Sequence, residues 1–269
     1  MGMPRELNLG NGLYIGESHP CFIIAEACEN HLGSMETAKK MIEAAVACGA
    51  DAIKFQHHLP DEEMLREAPI SDNFAEPLYD ILQRISLSLD QHYELKSYCD
   101  QQGILYCCTP FSLKAALEIN ELVPFFKIGS GELTDTPTLV EIAKLNKPMI
   151  LSTGMATIEE IETTLKVVLP ANSEVAILNC TSEYPPVYED INIGLIPLLK
   201  EKFGVVVGHS DHTPENYTCF AAVASGASIL EKHLILDLAT NAPDANVSIN
   251  PRGLAELVTG TRKIEAAMI

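Results

Sequence analysis

The chain is short of positive charge: 18 lysines and arginines stand against 37 aspartates and glutamates, a net charge of −19 over 269 residues. That balance speaks against non-specific binding to nucleic acid or to an anionic membrane surface. It leaves room for a small anionic substrate, because a few lysines converging in a pocket reverse the local field. No stretch is long or apolar enough to span a bilayer. The opening residues Met1-Gly2-Met3-Pro4-Arg5-Glu6 lack the apolar centre of a signal peptide. None of the eight cysteines forms a Cys-x-x-Cys pair. Cys21, Cys107, Cys108 and Cys180 lie in or beside apolar strand-like runs, and Cys48, Cys99 and Cys219 lie in helix-like ones. Reduced, mostly buried thiols in a cytoplasmic protein are therefore expected. Linkers and low-complexity segments are also missing.

What is present is a regular alternation. Hydrophobic residues make up 47% and charged residues 20% of the chain, enough for one large core. Residues 7–16 suggest a small hairpin around Gly10-Asn11-Gly12, within an N-terminal segment 1–20 expected to plug one end of the fold. Strand-like runs follow at 21–25, 52–55, 104–108, 125–128, 149–152, 175–178, 205–207 and 229–232. Helical patterns follow the strands at 34–48, 90–102, 113–121, 138–145, 158–168, 193–203, 215–225 and 252–267, with Ser34 as a cap and Gly49 and Gly103 as stops. A long polar stretch runs from the second strand to about residue 88. Eight βα units over about 250 residues predict a single (β/α)8 barrel spanning 1–269. A doubly wound open sheet is the alternative, but no Gly-x-Gly-x-x-Gly follows the first strand.

In such a barrel the carboxyl ends of the strands form one rim, where active sites are built. Here those ends carry Glu26; Lys54 and Gln56; Thr109; Lys127 with Ser130 and Glu132; Ser152 and Thr153; Thr181, Ser182 and Tyr184; Ser210, Asp211 and His212; Glu231 and His233. A purely structural barrel has no need of so many polar groups there. A single strand-end lysine is ordinarily solvated or salt-bridged. Two on one rim beside the Gly129-Ser130-Gly131 turn form a candidate phosphate or carboxylate site. His19, His57, His58 and His92 are taken as structural or exposed. His212 and His233 stand out, each beside a carboxylate at a strand end, and imidazole with oxygen ligands suits Mn, Fe, Zn or Co. Residues two apart share a side of a strand, so Glu231 and His233 point together and Lys232 points toward the helices.

The same residues carry a family likeness. Ala25-Glu26 with Asn30-His31-Leu32-Gly33, Ile53-Lys54-Phe55-Gln56, Cys108-Thr109-Pro110-Phe111, Lys127-Ile128-Gly129-Ser130 and Ser152-Thr153-Gly154 occur in order. Cys180-Thr181-Ser182-Glu183-Tyr184-Pro185, Ser210-Asp211-His212-Thr213 and Glu231-Lys232-His233 complete the series. Over roughly 20–260 the chain resembles the N-acetylneuraminate (sialic acid) synthase family, which includes legionaminate, pseudaminate and spore-coat polysaccharide synthases. The resemblance implies a transferase that condenses phosphoenolpyruvate with an aldose such as N-acetylmannosamine, giving a 2-keto-3-deoxy sugar acid and phosphate. It places Lys54, Thr109, Lys127, Ser130, Ser152, Ser182 and Ser210 on the donor and Gln56, Tyr184 and Asp244 on the sugar. His212 and His233 would bind a divalent metal, commonly Mn2+, with Mg2+ or Co2+ as substitutes. Glu26, Glu231 and His212 would serve the chemistry. A homodimer is also implied.

Departures from the pattern are specific. Relatives usually carry a C-terminal antifreeze-like domain that donates an arginine to the neighbouring sugar site, and the expectation here is a barrel without it. Ala27-Cys28-Glu29 stands in place of a small apolar run, leaving Glu29 a charge of unknown purpose. Ser112 replaces a common aspartate, and Asn241-Ala242-Pro243-Asp244-Ala245 replaces Gly-Pro-Asp-His. Two other functions fit the same residues: a barrel aldolase with Lys54 or Lys127 as a Schiff-base amine, and a catalytically silent barrel acting as an assembly partner.

Overall fold

The computed structural model describes residues 5–67, 70 and 76–268. Residues 1–4 of the expected hairpin segment, part of the long polar stretch and Ile269 at the end of the expected 1–269 barrel lie outside the described residues.

Strands β1 (Glu6–Gly10) and β2 (Leu13–Gly16) pair antiparallel. Gly10, Asn11 and Gly12 turn the chain with φ of 84°, 52° and 79°, left-handed values that glycine and asparagine tolerate. Cross-strand partners Leu7 and Ile15 point the same way. Both are fully buried against Phe22, Ile24, Phe125 and Ile150, at the amino ends of the strands that follow. The hairpin is thereby stitched to the bottom of the barrel interior.

Parallel strands and helices then alternate. β3 (Phe22–Glu26) leads to α1 (Met35–Cys48), and β4 (Ala52–His57) to α2 (Pro60–Glu63), α3 (Leu78–Ile85) and α4 (Leu89–Gln102). β5 (Leu105–Pro110) leads to α5 (Leu113–Ile119), β6 (Phe126–Ile128) to α6 (Thr136–Ala143), and β7 (Met149–Ser152) to α7 (Ile158–Val168). β8 (Val175–Asn179), β9 (Val206–Asp211) and β10 (Ile229–His233) precede α8 (Leu195–Phe203), α9 (Tyr217–Ala224) and α10 (Pro251–Ala267). The sheet order is β5-β4-β3-β10-β9-β8-β7-β6, so each strand neighbours its sequence neighbour and the last pairs with the first. β5 and β6 pack side by side and nearly close the ring. This is a TIM barrel, and the cyclic order rules out the doubly wound sheet.

Local chemistry sets the helix ends. Ser34 accepts from the Thr37 amide at the start of α1, and Gly49 ends it at φ 81°. Ser88 and Gln91 form a capping box on α4, which stops at Gly103. Ser112 caps α5 by accepting from the Ala115 amide at 3.2 Å, a role the common aspartate would fill equally well. Two helices were not anticipated. α3 carries buried Tyr79, Leu82 and Ile85 at helical spacing, a signal hidden by the polar residues around it. Strand β9 also runs further than polarity suggests, with Gly208–Asp211 within it rather than after it, and β10 ends at His233, one residue past the expected 229–232. The ladder hydrogen bonds continue through these polar residues because their side chains find partners in the layers on either side.

Two apolar layers result. Ile23, Ala25, Ile53, Phe55, Ile128, Leu151, Ile177 and Val207 pack outward against the helices. Phe22, Ile24, Ala52, Cys107, Ile150, Ala176, Leu178, Val206 and Ile229 fill the lower barrel. The interior is so tight that a Cβ on Gly208 would lie 2.6 Å from both Ile229 and Leu178.

Candidate active site

The inward-pointing alternation continues up each strand and changes character at the top. Ile24 is followed by Glu26, Ala52 by Lys54 and Gln56, Cys107 by Thr109, Ile150 by Ser152, and Ile229 by Glu231 and His233. These polar ends open into a cavity of about 420 Å³. Every residue expected to act lines it: Glu26, Lys54, Gln56, Thr109, Lys127, Ser130, Ser152, Ser182, Tyr184, Ser210, His212, Glu231, His233 and Asp244. So do Cys180, Phe111, Glu132, Met155 and Leu78. Cys180 was missed as a site residue because it reads as one more strand cysteine, although its parity with Leu178 places it inward. Leu78 arrives on the unanticipated α3.

Asp211 does not belong to this group, contrary to its place among the rim residues. It faces outward, where Lys232 donates to it and to the Thr213 carbonyl. A similar-sized depression between α7 and α8 carries lysines too, but Lys166 and Lys202 are both paired to Glu162.

Lys54 and Lys127 meet around Glu231. Lys54 Nζ lies 2.6 Å from Glu26 Oε2, 2.9 Å from Thr109 Oγ1 and 3.7 Å from Glu231 Oε2. Lys127 Nζ donates to Ser152 Oγ at 2.7 Å and lies 3.4 Å from Glu231 Oε1. Ser210 Oγ donates to the same Oε1 at 2.9 Å. Gln56 donates to Glu26 at 3.0 Å, and its Oε1 meets His58 at 2.9 Å. His58 in turn stacks on Phe111 and bonds Glu63 at 3.0 Å, so it buttresses the site, whereas His57 is tied to Glu118 and His92 to Tyr106. Beside the lysines, the Gly154 amide donates to Ser130 Oγ at 3.0 Å, and a Cβ on Gly154 would lie 2.6 Å from Ser182 Oγ. Only glycine allows the turns after β6 and β7 to come this close.

Burial and mutual fields separate the four charges. Burial pushes Glu26 up, Lys54 only partly counters it, and Glu231 adds to it, leaving the carboxyl near 7. Glu231 is buried as well, yet Lys127 and Lys54 hold it down at about 2. Burial opposes the Lys54 ammonium, but Glu231 and Glu26 raise it above its ordinary value. For Lys127 burial prevails and the amine is lowered. One carboxyl raised to near 7 beside one held ionised is an arrangement suited to proton transfer. Glu29, whose purpose the sequence left open, is a buried acid pushed up by desolvation and then by Asp244, with His31 and His58 each 3.8 Å away.

The imidazoles form the upper wall. His212 Nδ1–H donates to the Thr181 carbonyl at 2.8 Å, which turns Nε2 toward the cavity, 3.1 Å from the Tyr184 hydroxyl. Tyr184 stacks on this ring at 4.3 Å, and His233 lies edge-on at 5.2 Å. Burial, then the neighbouring His212, keeps His233 well below its ordinary value and therefore neutral. His212 resists burial through Cys180 and the Thr181 carbonyl and stays near 9, so a cation must displace a proton from it. His233 Nδ1 is buried without a hydrogen-bond partner and lies 3.8 Å from Asp244. A neutral imidazole with an idle lone pair, a second one fixed by its far nitrogen and a nearby carboxylate fit a divalent metal.

Comparison with known proteins agrees with this architecture. The NeuB family profile matches residues 41–269. The chain is 37% identical to human N-acetylneuraminate-9-phosphate synthase, over 99% of this chain and 76% of that protein. It is 40% identical to the N,N'-diacetyllegionaminic acid synthase of Campylobacter jejuni, over 91% of this chain and 77% of that one. Among solved structures, N-acetylneuraminic acid synthetase from Leptospira borgpetersenii superposes with a TM-score of 0.90 at 33% identity, covering 98% of this chain and 90% of its own. With this barrel and these relatives, the chain belongs to the NeuB family, among the sugar-acid synthases.

Proposed function

We propose that the protein condenses phosphoenolpyruvate with an aldose to form a 2-keto-3-deoxy sugar acid and phosphate, as a metal-dependent, cytoplasmic, homodimeric transferase. The observation that carries this is the pair of buried ammonium groups, Lys54 and Lys127, converging on Glu231 beside the two imidazoles. Two lysines against Glu26, Glu132, Glu231 and Asp244 do not make an anion site by count alone. Burial raises the carboxyls of Glu26, Glu132 and Asp244, and with positive charge at His212, as imidazolium or on a bound cation, the balance tips toward an anionic donor.

Lys54, Lys127 and the hydroxyls of Thr109, Ser130, Ser152, Ser182 and Ser210 would hold phosphate and carboxylate, in a site where exclusion of water strengthens each contact. C3 of the enol then bonds to the aldehyde carbon while water adds at C2, and the C–O bond to phosphate breaks. A divalent cation held by His212 and His233, Mn2+ in the first instance and Mg2+ or Co2+ as substitutes, would polarise the aldehyde oxygen as a Lewis acid. Glu26 and Glu231 move the protons: Glu26, when protonated, supplies one to the aldehyde oxygen, and the ionised Glu231 accepts one from the attacking water. Gln56, Tyr184 and Asp244 would position the sugar, and stacking fixes Tyr184 on His212.

A panel of aldoses with phosphoenolpyruvate and Mn2+, read by phosphate release and product mass, tests this directly. His212→Ala is expected to abolish turnover while leaving the circular dichroism spectrum unchanged; full turnover in that variant, or in metal-free protein, overturns the assignment. One observation favours a different chemistry, because burial lowers the Lys127 amine toward the free base that a Schiff base needs. Borohydride trapping of a ketone substrate on Lys127 would establish that aldolase in place of the synthase.

A further inference from the structure

We propose that Cys28 supplies a thiolate ligand to the metal beside His233 and Asp244, with His212 just outside this cluster, making this a mixed sulfur, nitrogen and oxygen site that favours Zn2+ or Co2+ over Mn2+. The inference rests on the reading that a cation sits at the histidine pair; it adds Cys28 as a ligand, moves Asp244 from the sugar to the metal, and replaces Mn2+ by Zn2+ or Co2+ as the preferred ion.

The geometry points to Cys28 in three ways. Its Sγ, a nitrogen of His233 and a carboxylate oxygen of Asp244 all lie within 4.8 Å of one another. Donor atoms so spaced can close on a cation at roughly 2.0–2.3 Å with small movements of side chains. Among the described residues no other group of at least three histidine, cysteine or acidic side chains comes together in this way. Next, the chain turns at Cys28 with φ of +48°, a conformation that residues with a side chain seldom adopt. The turn carries Sγ from the end of β3 to the Asp244 carboxylate. A glycine would make the same turn without strain, so the side chain at this position needs a purpose. Lastly, His233 is 5% exposed and its Nδ1 has no partner. A simple hydrogen bond from the thiol to Asp244 satisfies the carboxylate but leaves that nitrogen idle, whereas a cation among the three atoms satisfies all of them.

Cys180, the other thiol at this end of the barrel, is aimed elsewhere. Its Sγ lies 3.7 Å from Ser130 Oγ and 4.0 Å from His212 Nδ1, the nitrogen already bonded to the Thr181 carbonyl. A thiolate is a soft donor and moves affinity from manganese toward zinc and cobalt. As the metal–sulfur bond forms, the thiol proton passes to solvent.

The test is a titration of the metal-stripped protein with Co2+ under anaerobic conditions, followed by absorbance. Binding of Co2+ is expected to produce a near-ultraviolet thiolate-to-cobalt charge-transfer band, saturating at one ion per chain. Cys28→Gly, chosen because glycine suits the positive φ, should remove the band and weaken Zn2+ binding by at least about tenfold. Mn2+ binding should weaken less in the same variant, and Cys180→Ser should keep the band. If Co2+ binds without the band, or the band survives in Cys28→Gly, Cys28 is not a ligand and the histidine pair stands alone. If neither Co2+, Zn2+ nor Mn2+ binds, both the thiolate ligand and the metal-dependent function fall.

Discussion

Two buried lysine–carboxylate groups lie within one residue of each other along β10, and they do different things. Lys232 donates to Asp211 and Thr213 in the layer between strands and helices. Lys54 and Lys127 surround Glu231 in the barrel interior. Burial and residue types are alike; what differs is completeness. The outer pair is enclosed by backbone, hydroxyl and His209 partners, 3.5 Å away on the far side of Asp211. The inner group faces a cavity, and Glu231 Oε2 has only Lys54 nearby and no hydrogen bond. A closed pair holds the structure together, and an open one is available to a ligand.

The sharpest way to break the comparison is Lys232→Met. It strands the Asp211 charge in the outer layer and should cost about 3–5 kcal/mol in denaturant unfolding, with turnover per folded molecule little altered. A loss of turnover without a loss of stability would mean that the outer pair serves the site. Lys127→Met should do the reverse. Phosphate release should fall by about 10²–10³-fold, while the loss of stability stays smaller than for Lys232→Met because Lys54 and Ser210 still face Glu231.

Acid sharpens the contrast. Burial alone would raise Asp211, but His209 and Lys232 hold its carboxyl well below the ordinary range. A depressed carboxyl stabilises the fold fully above its unfolded value near ~4 and loses that contribution as pH falls below it, by at most about 1.4 kcal/mol per pH unit. Between about pH 5 and about pH 3 the parent should therefore lose more stability than Lys232→Met. Equal losses would show that the pair is not what holds Asp211 ionised. The smallest expected effect is at the other end of the scale: Ser112→Ala should cost about 1 kcal/mol by removing the α5 cap, with no change in turnover.

Much of this was legible from strand parity. Glu26, Lys54, Ser152, Glu231 and His233 could be placed on one rim because residues two apart share a face and the apolar run beneath each one marks the inward side. Lys232 follows from the same rule. Asp211 adjoins Ser210 and His212 in sequence, but parity turns it to the outer face, where Lys232 meets it. The ends of β9 were cut short for a related reason, since polarity signals the end of burial on one face rather than the end of the ladder. α3 was lost because its apolar residues occupy one stripe of a short helix in a polar stretch. Cys28 could not be found at all from spacing: its neighbours in the site, His233 and Asp244, are over 200 residues away in sequence, and only the positive φ of its turn brings the thiol round to them.

The hairpin at the bottom of the barrel gives the cavity a floor. With Leu7 and Ile15 stoppering one end, the cavity among the described residues opens at the other. Lys127 lies deep in it at 2% exposure, and Tyr184 stands near the opening at 42%. A group held on Lys127 therefore lies toward the closed end of the barrel, and one against Tyr184 lies nearer the opening.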